Sequence, residues 1–328
     1  MHQRTLGRTG RNVSVISLGT WQLGGDWGTV SEQDAHAVLD ASVESGVTMF
    51  DTADVYGDGR SEQLIGSYLA AHPELDIFVA TKMGRRQDQV AANYSLENFR
   101  AWTDRSRANL RTDTLDLVQL HCPPSAVFDS DEVFDGLDTL VSDGAIANYG
   151  VSVETTAQAL TAIARPNVAS VQIILNAFRL KPLDAVLPAA LDAGVGIIAR
   201  VPLASGLLGG KYTRETTFAE NDHRNYNRHG ESFDVGETFS GVDYDDGVAA
   251  AQEFAALARQ HGLEPARAAL AWLAQLDGLS TVIPGARNAA QAEANAAAGS
   301  VAPLGEEFTA AVRDLYDRYF RAAIHDRW

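Results

Sequence analysis

The sequence predicts an α/β fold: eight parallel strands, each followed by a helix, closed into a (β/α)8 or TIM barrel. A β-hairpin precedes the barrel and an extra helix follows it. Three observations lead there. Short apolar runs of strand length alternate with amphipathic helical runs along the chain, the order that builds parallel strands joined by crossover helices. About eight such units can be counted, the number that closes a barrel. Polar residues also gather at the C-terminal ends of several apolar runs, where a parallel barrel keeps its functional rim. An open doubly wound sheet is the competing architecture.

The elements follow in order. Arg4 to Ser17 reads as two extended pieces around Gly7–Arg8–Thr9–Gly10, a hairpin, and Val15 to Gly19 feeds into the repeating pattern. The next strands are expected at Thr48–Asp51, Ile77–Lys82, Leu115–His121, Ala147–Ser152, Val168–Leu175, Gly196–Val201 and Ser280–Pro284. Ser31 with Asp34 resembles a capping box before Ala35–Ser45, and Gly46 is placed as a stop. Ser61, Ser95 and Asp131 are expected to cap later helices. The stretches Ala249–Ala256 and Ala289–Ala298 are plain helix formers, and Phe308, Val312, Leu315, Tyr316 and Tyr319 mark the apolar face of a last helix. Lys211 to Asp245 breaks the rhythm as a long polar segment rich in Gly, Asn, His and Arg, a length of loop that usually serves function.

Residues 1–328 read as one domain, since barrels of this length are common. Hydrophobic residues make up 45%, enough for a large core, and no run approaches the roughly eighteen apolar residues of a membrane span. The stretch Met1 to Gly10 lacks an apolar signal-peptide core, and the single Cys122 rules out an internal disulfide framework. A cytoplasmic location is therefore expected. The net charge of −17, from 43 acidic and 26 basic residues, repels nucleic acid and anionic membrane surfaces. It also favours solubility, and it means that a phosphorylated cofactor needs local Lys or Arg.

Four strand ends carry the chemistry: Leu18–Gly19–Thr20–Trp21, Phe50–Asp51 running on to Tyr56, Ala80–Thr81–Lys82, and Gln119–Leu120–His121–Cys122. In a barrel these ends share one rim, so Asp51, Tyr56, Lys82 and His121 meet although far apart in sequence. A tyrosine of ordinary pKa near ~10 exchanges protons poorly at neutral pH. A nearby ammonium favours the phenolate and lowers that pKa, and a carboxylate holds the ammonium in place. A histidine beside the phenol can donate a hydrogen bond to a substrate oxygen. These are the parts that carbonyl reduction needs. Each residue alone has a plainer reading: a loop cap for Asp51, packing for Tyr56, a solvated charge for Lys82, a satisfied buried imidazole for His121. As an ordered set they point to catalysis. Cys122 is read as a buried structural thiol.

The run D-T-A-D-V-Y-G at Asp51–Gly57, A-T-K at Ala80–Lys82 and L-D-L-V-Q-L-H at Leu115–His121 resembles the aldo-keto reductase family. So do G-V-S at Gly150–Ser152, V-Q at Val171–Gln172, P-L-A-S-G-L-L-G-G-K-Y at Pro202–Tyr212 and V-I-P-G-A-R at Val282–Arg287, in the correct order over nearly the whole chain. The resemblance implies an NADPH-dependent oxidoreductase that reduces aldehydes or ketones, or oxidises the matching alcohols. It implies Tyr56 as proton donor and Asp51, Lys82 and His121 as its catalytic partners.

The dinucleotide fingerprint G-x-G-x-x-G is absent, because Glu62 stands where the third glycine after Gly57 and Gly59 belongs, and Ser205–Lys211 falls short of a phosphate-binding Walker loop. The resemblance instead implies NADPH or NADP laid across the barrel rim. It brings Ser152 and Gln172, with Asn176 beside them, to the carboxamide, and Gly19, Thr20, Trp21 and Asp51 to the nicotinamide end. It also implies cofactor contacts from Arg200 and Val201 at the end of the seventh barrel strand, and Leu203, Ser205, Gly206, Leu208 and Lys211 match the pyrophosphate loop, whose small residues let backbone N–H groups approach phosphates. Gly285, Arg287, Gln291 and Asn295 match the adenosine end, with Arg287 as partner of a 2′-phosphate.

Three departures stand out. Val153 replaces a common asparagine, and Arg200 replaces a stacking tyrosine. Gly285 and Gln291 replace common basic residues, so NADH remains compatible. The Arg200 guanidinium plane can stack on an aromatic ring but would repel the oxidised, cationic ring, which predicts looser NADP⁺ than NADPH binding.

The substrate pocket is expected to include Trp21, Trp27, Tyr56 and His121, whose aromatic walls suit a partly apolar carbonyl compound. Pro123 and Pro124 stiffen the loop after His121. The stretch Asp222–His229 is placed to fold over cofactor or substrate, and the tail His325–Trp328 to reach the rim. No metal site is expected. The expected partner is a small carbonyl or alcohol molecule, and the sequence carries no signal of oligomeric state. Two other functions compete: a catalytically weak NADPH-binding regulatory subunit on the same barrel, and a metal-dependent hydrolase, for which the strand ends offer too few ligands.

Overall fold

The hairpin forms as Gly7–Gly10 predicts. Gln3–Thr5 (β1) pairs antiparallel with Asn12–Ser14 (β2) around a tight turn at Gly7–Thr9. The computed structural model describes residues 1–25 and 30–328. Beyond the hairpin run eight parallel strands: Leu18–Gly19 (β3), Met49–Asp51 (β4), Phe78–Met83 (β5), Leu117–His121 (β6), Tyr149–Ser152 (β7), Val168–Ile174 (β8), Gly196–Arg200 (β9) and Thr281–Val282 (β10). Each pairs with its sequence neighbour. The two ends of this row also meet, because Ile16 bridges Val282 and Gly19 bridges Gly285, both in parallel. Ser17 N donates to Val282 O at 2.8 Å, and Val282 N donates to Val15 O at 3.0 Å. The sheet is thus a closed barrel, and the open doubly wound alternative is eliminated.

Strand alternation sorts the side chains. Met49, Phe78, Ala80, Leu117, Ile198 and Ile283 form one small apolar cluster with Leu6 and Val13 of the hairpin, so the hairpin plugs the bottom of the barrel. Burying each large side chain there contributes about 1.5–3 kcal/mol over leaving it exposed. Their strand neighbours Phe50, Val79, Val118, Leu120, Val171 and Ile197 face outward into the larger core under the helices. Two residues above the plug, the inward positions turn polar: Asp51 on β4, Lys82 on β5, Gln119 and His121 on β6, Gln172 on β8 and Arg200 on β9, all buried. The barrel is therefore greasy at its N-terminal end and charged at its C-terminal end.

Local capping chemistry starts the crossover helices. The Ser31 hydroxyl accepts from Asp34 N before the helix Glu32–Glu44, and Gly46 follows it at φ 85°. Ser95 accepts from Asn98 N at the start of Leu96–Leu110. Two expected caps are corrected. Asp131 is the first helical residue of Asp131–Ser142, and Ser130 before it accepts from Val133 N. Ser61 lies inside the helix Arg60–Ala71, where it is fully buried. Its hydroxyl donates to Thr20 O at 3.1 Å and meets Thr52 Oγ1 at 2.9 Å, so it ties the β3 and β4 rims together instead. The alanine-rich runs are helical at Tyr244–Gln260 and Ala289–Ala296. The last long helix, Gly305–Tyr319, buries Phe308, Val312, Leu315 and Tyr316. No helix among the described residues is long and apolar enough to cross a membrane.

Candidate active site

Asp51 and Lys82 enter the barrel top from adjacent strands, β4 and β5, whose register pairs Asp51 with Ala80, two residues below Lys82. Their side chains, 3% and 1% exposed, form a short ion pair. The Lys82 ammonium also donates to Thr52 O at 2.8 Å and to Tyr56 Oη at 3.4 Å. The other Asp51 oxygen accepts from Gln172 Nε2 at 2.8 Å and from Gln119 Nε2 at 3.2 Å. Three inward side chains, Lys82, Gln119 and Gln172, therefore share one carboxylate, and the amine is fixed under the phenol.

Tyr56 reaches this point from a tight turn, Tyr56–Gly59, just past β4. The turn packs backbone to backbone against Trp21–Gly24, and a side chain on Gly24 would come within 2.7 Å of Gly57 N. Glycine is required there by close approach. Trp21 stacks on the phenol with ring centroids 6.2 Å apart, and His121 meets it edge-on at 6.0 Å. Asp51, Tyr56, Lys82 and His121 thus meet at the C-terminal rim.

The electrostatics modify the simple reading of an ammonium that lowers the phenol pKa. Burial raises the Tyr56 pKa more than Lys82 lowers it, and Asp51 and Glu237 raise it further. The phenol stays protonated well past neutral pH. Burial pulls the Lys82 pKa down, but Asp51 and then Tyr56 lift it above the ordinary lysine value, so the amine stays charged. Burial, followed by Arg85, Lys82 and Arg200, holds His121 well below the ordinary histidine value. The imidazole is neutral, and its Nδ1 is buried without a hydrogen-bond partner among the described residues. Burial pushes the Cys122 thiol up to about 12, with Glu154 adding to it, so this thiol is no nucleophile.

The other predicted positions fall around the same rim. Ser152 is buried beside Cys122, whose thiol approaches its hydroxyl at 3.4 Å. Gln172 points down to Asp51 and Gln119. Asn176 donates to Val201 O at 2.9 Å and to Ser240 Oγ at 2.7 Å. Gly19 bridges Gly285 past the last strand, and the Thr20 hydroxyl donates to Asp51 O at 2.9 Å. After β9 the backbone enters left-handed conformations at Val201, Ala204, Ser205, Gly206 and Gly210. For a β-branched residue such as Val201 that is a strained state costing about 1–3 kcal/mol, and such strain collects at ligand-binding loops. Leu208 turns into the core, Leu203 is half-buried, and Lys211 is exposed. Across the gap, Gln291 Oε1 accepts from Arg287 N at 2.9 Å, and Asn295 Nδ2 donates to Gly285 O at 3.1 Å, so both side chains shape the Gly285–Arg287 turn. Arg224 Nη1 approaches Ser205 O in the strained loop at 3.5 Å and donates to Tyr212 Oη; burial raises the Tyr212 pKa, and Arg224 and then Arg287 act against it. Trp27 lies outside the described residues.

The segment 222–241 does fold onto the rim. The His223 ring lies 5.2 Å from Trp21, Ser205 Oγ donates to Glu237 O at 3.2 Å, and Phe239 N donates to Ser205 Oγ at 3.0 Å. The tail reaches it too: Trp328 Nε1 donates to Asp234 Oδ1 at 3.0 Å, and the Arg179 guanidinium lies 4.0 Å from the Trp328 ring.

Arg200 is held by acidic partners. It pairs with Glu154 at 3.0 Å and Glu237 at 3.5 Å and donates to Val153 O at 3.1 Å. Two carboxylates offset its charge, which removes the argument for weak NADP⁺ binding. Arg85 joins the same cluster, with Glu237 at 3.0 Å and Glu154 at 3.2 Å. Arg85, Glu154 and Glu237 were not anticipated from the sequence. Arg85 sits three residues past Lys82 and Glu154 two past Ser152, and these short offsets from rim residues are the only signal that could have found them. Glu237 carries none.

The chain matches the model of the aldo/keto reductase family over residues 15–317. It is 33% identical to an uncharacterised oxidoreductase of Mycobacterium bovis over 94% of this chain and 90% of that protein. Among solved structures, a glycerol dehydrogenase from Gluconobacter oxydans is 29% identical with a TM-score of 0.76, covering 94% of this chain and 93% of its own. An aldo-keto reductase from Bacillus halodurans, solved in a holo form, is 26% identical with a TM-score of 0.77, covering 96% of each chain. The chain therefore belongs to the aldo/keto reductase family.

Proposed function

We propose that this protein is an NADPH-dependent oxidoreductase that reduces an aldehyde or ketone to an alcohol, with residues 1–328 acting as one cytoplasmic catalytic unit. The observation that carries the reading is the Tyr56 hydroxyl 3.4 Å from a buried, permanently charged Lys82 ammonium, beside the neutral imidazole of His121. The left-handed loop from Val201 to Gly210 with Arg224 and Arg287 nearby suits a diphosphate in a protein whose net charge is −17. Ser152, Gln172 and Asn176 would hold the carboxamide, Ser205, Gly206 and Lys211 the pyrophosphate, and Arg287 a 2′-phosphate. NADPH supplies the hydride when bound.

The side chains do the rest. A substrate carbonyl oxygen sits against Tyr56 Oη and the His121 ring, and Trp21 walls the pocket. His121 hydrogen-bonds the oxygen and fixes the direction of approach. Tyr56 Oη gives its proton to the oxygen as negative charge develops there. The phenolate left behind is stabilised by the Lys82 ammonium, and Asp51 keeps that ammonium in place. The raised phenol pKa keeps the proton on Tyr56 at neutral pH, the form that reduction needs. The test is NADPH oxidation with 4-nitrobenzaldehyde by wild type and Tyr56→Phe. Turnover that falls by about 10²–10⁴ in the variant, with NADPH binding retained, is expected. Equal inertness of both proteins, each binding NADPH, would establish a non-catalytic binding subunit instead.

A further inference from the structure

Two arginines meet beside the proposed active site, and a carboxylate from another part of the chain lies between them. Arg85 comes from the turn after β5 and Arg200 from the end of β9, with side chains 18% and 9% exposed. Arg200 Nη2 lies 3.5 Å from the sulfur of Cys122, the residue next to His121, and Arg85 stands three residues past Lys82, so the cluster borders the site where a carbonyl would sit. One Glu237 oxygen takes both guanidiniums, Arg85 Nη2 at 3.0 Å and Arg200 Nη1 at 3.5 Å. Glu237 differs in origin from its partners. It is not on the barrel rim but on the 222–241 strap, held there by the hydrogen bonds of Ser205 and by the Asp234–Trp328 contact.

The fixed part of the cluster is Arg85, Arg200 and Glu154. Without Glu237 it carries two positive charges and one negative, so it holds a net positive charge in a buried place. The Nε atoms of both arginines are buried with no hydrogen-bond partner among the described residues, which leaves donors unspent even with Glu237 present. A buried cationic site of this kind calls for an anion, and a planar carboxylate matches the guanidinium fork.

We propose that Arg85 and Arg200 recognise a carboxylate on the carbonyl substrate, and that Glu237 occupies that position when substrate is absent. The inference rests on the carbonyl-reductase reading and narrows it to oxo acids, whose carbonyl faces Tyr56 while the acid group displaces Glu237. It makes Arg85 a specificity residue and Glu237 an internal competitor.

The test compares 4-oxobutanoate with butanal and 5-oxopentanoate with pentanal at saturating NADPH, alongside calorimetric binding of succinate. Wild type is expected to favour each oxo acid over its neutral match by tenfold or more in kcat/KM. Arg85→Met is expected to lower that acid-to-neutral ratio by tenfold or more and to weaken succinate binding. Glu237→Ala is expected to act in the opposite sense, lowering KM for the oxo acids and tightening succinate binding. A purely structural ion pair would make both substitutions harm both substrates alike. That result, or a wild type that reduces neutral aldehydes without acid preference and without succinate binding, overturns the inference while leaving the carbonyl-reductase reading standing. Arg85-dependent succinate binding with no aldehyde reduced would instead sink the reductase reading and leave the anion site standing.

Discussion

Replacing Lys82 by Met removes the centre of the charge network and separates its structural role from its chemical one. In the native protein Asp51 is 2% exposed, with one oxygen on Lys82 and the other on Gln119 and Gln172. The Met variant keeps the two amide donors but leaves the first oxygen facing a methylene chain, and Thr52 O loses its 2.8 Å donor as well. Breaking a buried ion pair from one side costs about 3–5 kcal/mol, because the remaining charge stays buried and uncompensated. Adding Asp51→Asn removes that charge and should recover about half of the loss or more. Activity should not recover, since the phenolate of Tyr56 has lost the ammonium that stabilises it, and both variants should turn over about 10²–10⁴ times more slowly than wild type. The assay is urea unfolding of wild type, Lys82→Met and Asp51→Asn/Lys82→Met, each paired with NADPH oxidation at saturating aldehyde. A single variant as stable as wild type, or a double variant with restored turnover, would refute the reasoning.

Further outcomes follow from the same geometry. Burial, and then the neighbouring Glu62, raise the Asp54 pKa from 3.8 to about 7, so the folded state holds its proton more tightly than the unfolded chain. The stability tied to that proton is fully present below pH 3.8 and is lost as pH rises through 7; Asp54→Asn should therefore be more stable than wild type by about 4 kcal/mol at pH 8 and no different at pH 3.5, measured by urea midpoints. Arg287→Ala should raise KM for NADPH by about ten- to a hundredfold, the worth of one charge-assisted hydrogen bond, and leave KM for NADH within about threefold; equal changes for both cofactors would remove Arg287 from the 2′-phosphate. Cys122 is buried with its thiol at about 12, so folded protein should resist iodoacetamide at pH 8 and react fully in urea, as read by intact mass.

Much of this architecture was legible in the sequence because it depends on local rules. Period-two alternation placed Asp51, Lys82 and His121 on inward positions of three strands, and their common C-terminal location placed them on one rim. Tyr56 needed one more step, a turn past the strand, which Gly57 and Gly59 make visible. What the sequence hid depends on contacts across the fold. Ser61 looks like a helix cap, yet its hydroxyl is used by Thr20 and Thr52 from other rungs. The direction of the Tyr56 shift could not be read from Lys82 alone, because burial of the phenol outweighs the neighbouring charge. The acidic partners of Arg200 were hidden because Glu154 lies 46 positions and Glu237 37 positions away, and nothing local marks either.

The most direct test of the central claim follows the hydride itself. NADPH carrying deuterium at both nicotinamide C4 positions is incubated with 4-nitrobenzaldehyde, and the alcohol is analysed by mass spectrometry. The account predicts one deuterium at the benzylic carbon with wild type, formed at least about a hundredfold more slowly by Tyr56→Phe. Unlabelled alcohol, or labelled alcohol formed at the same rate by both proteins, would contradict it.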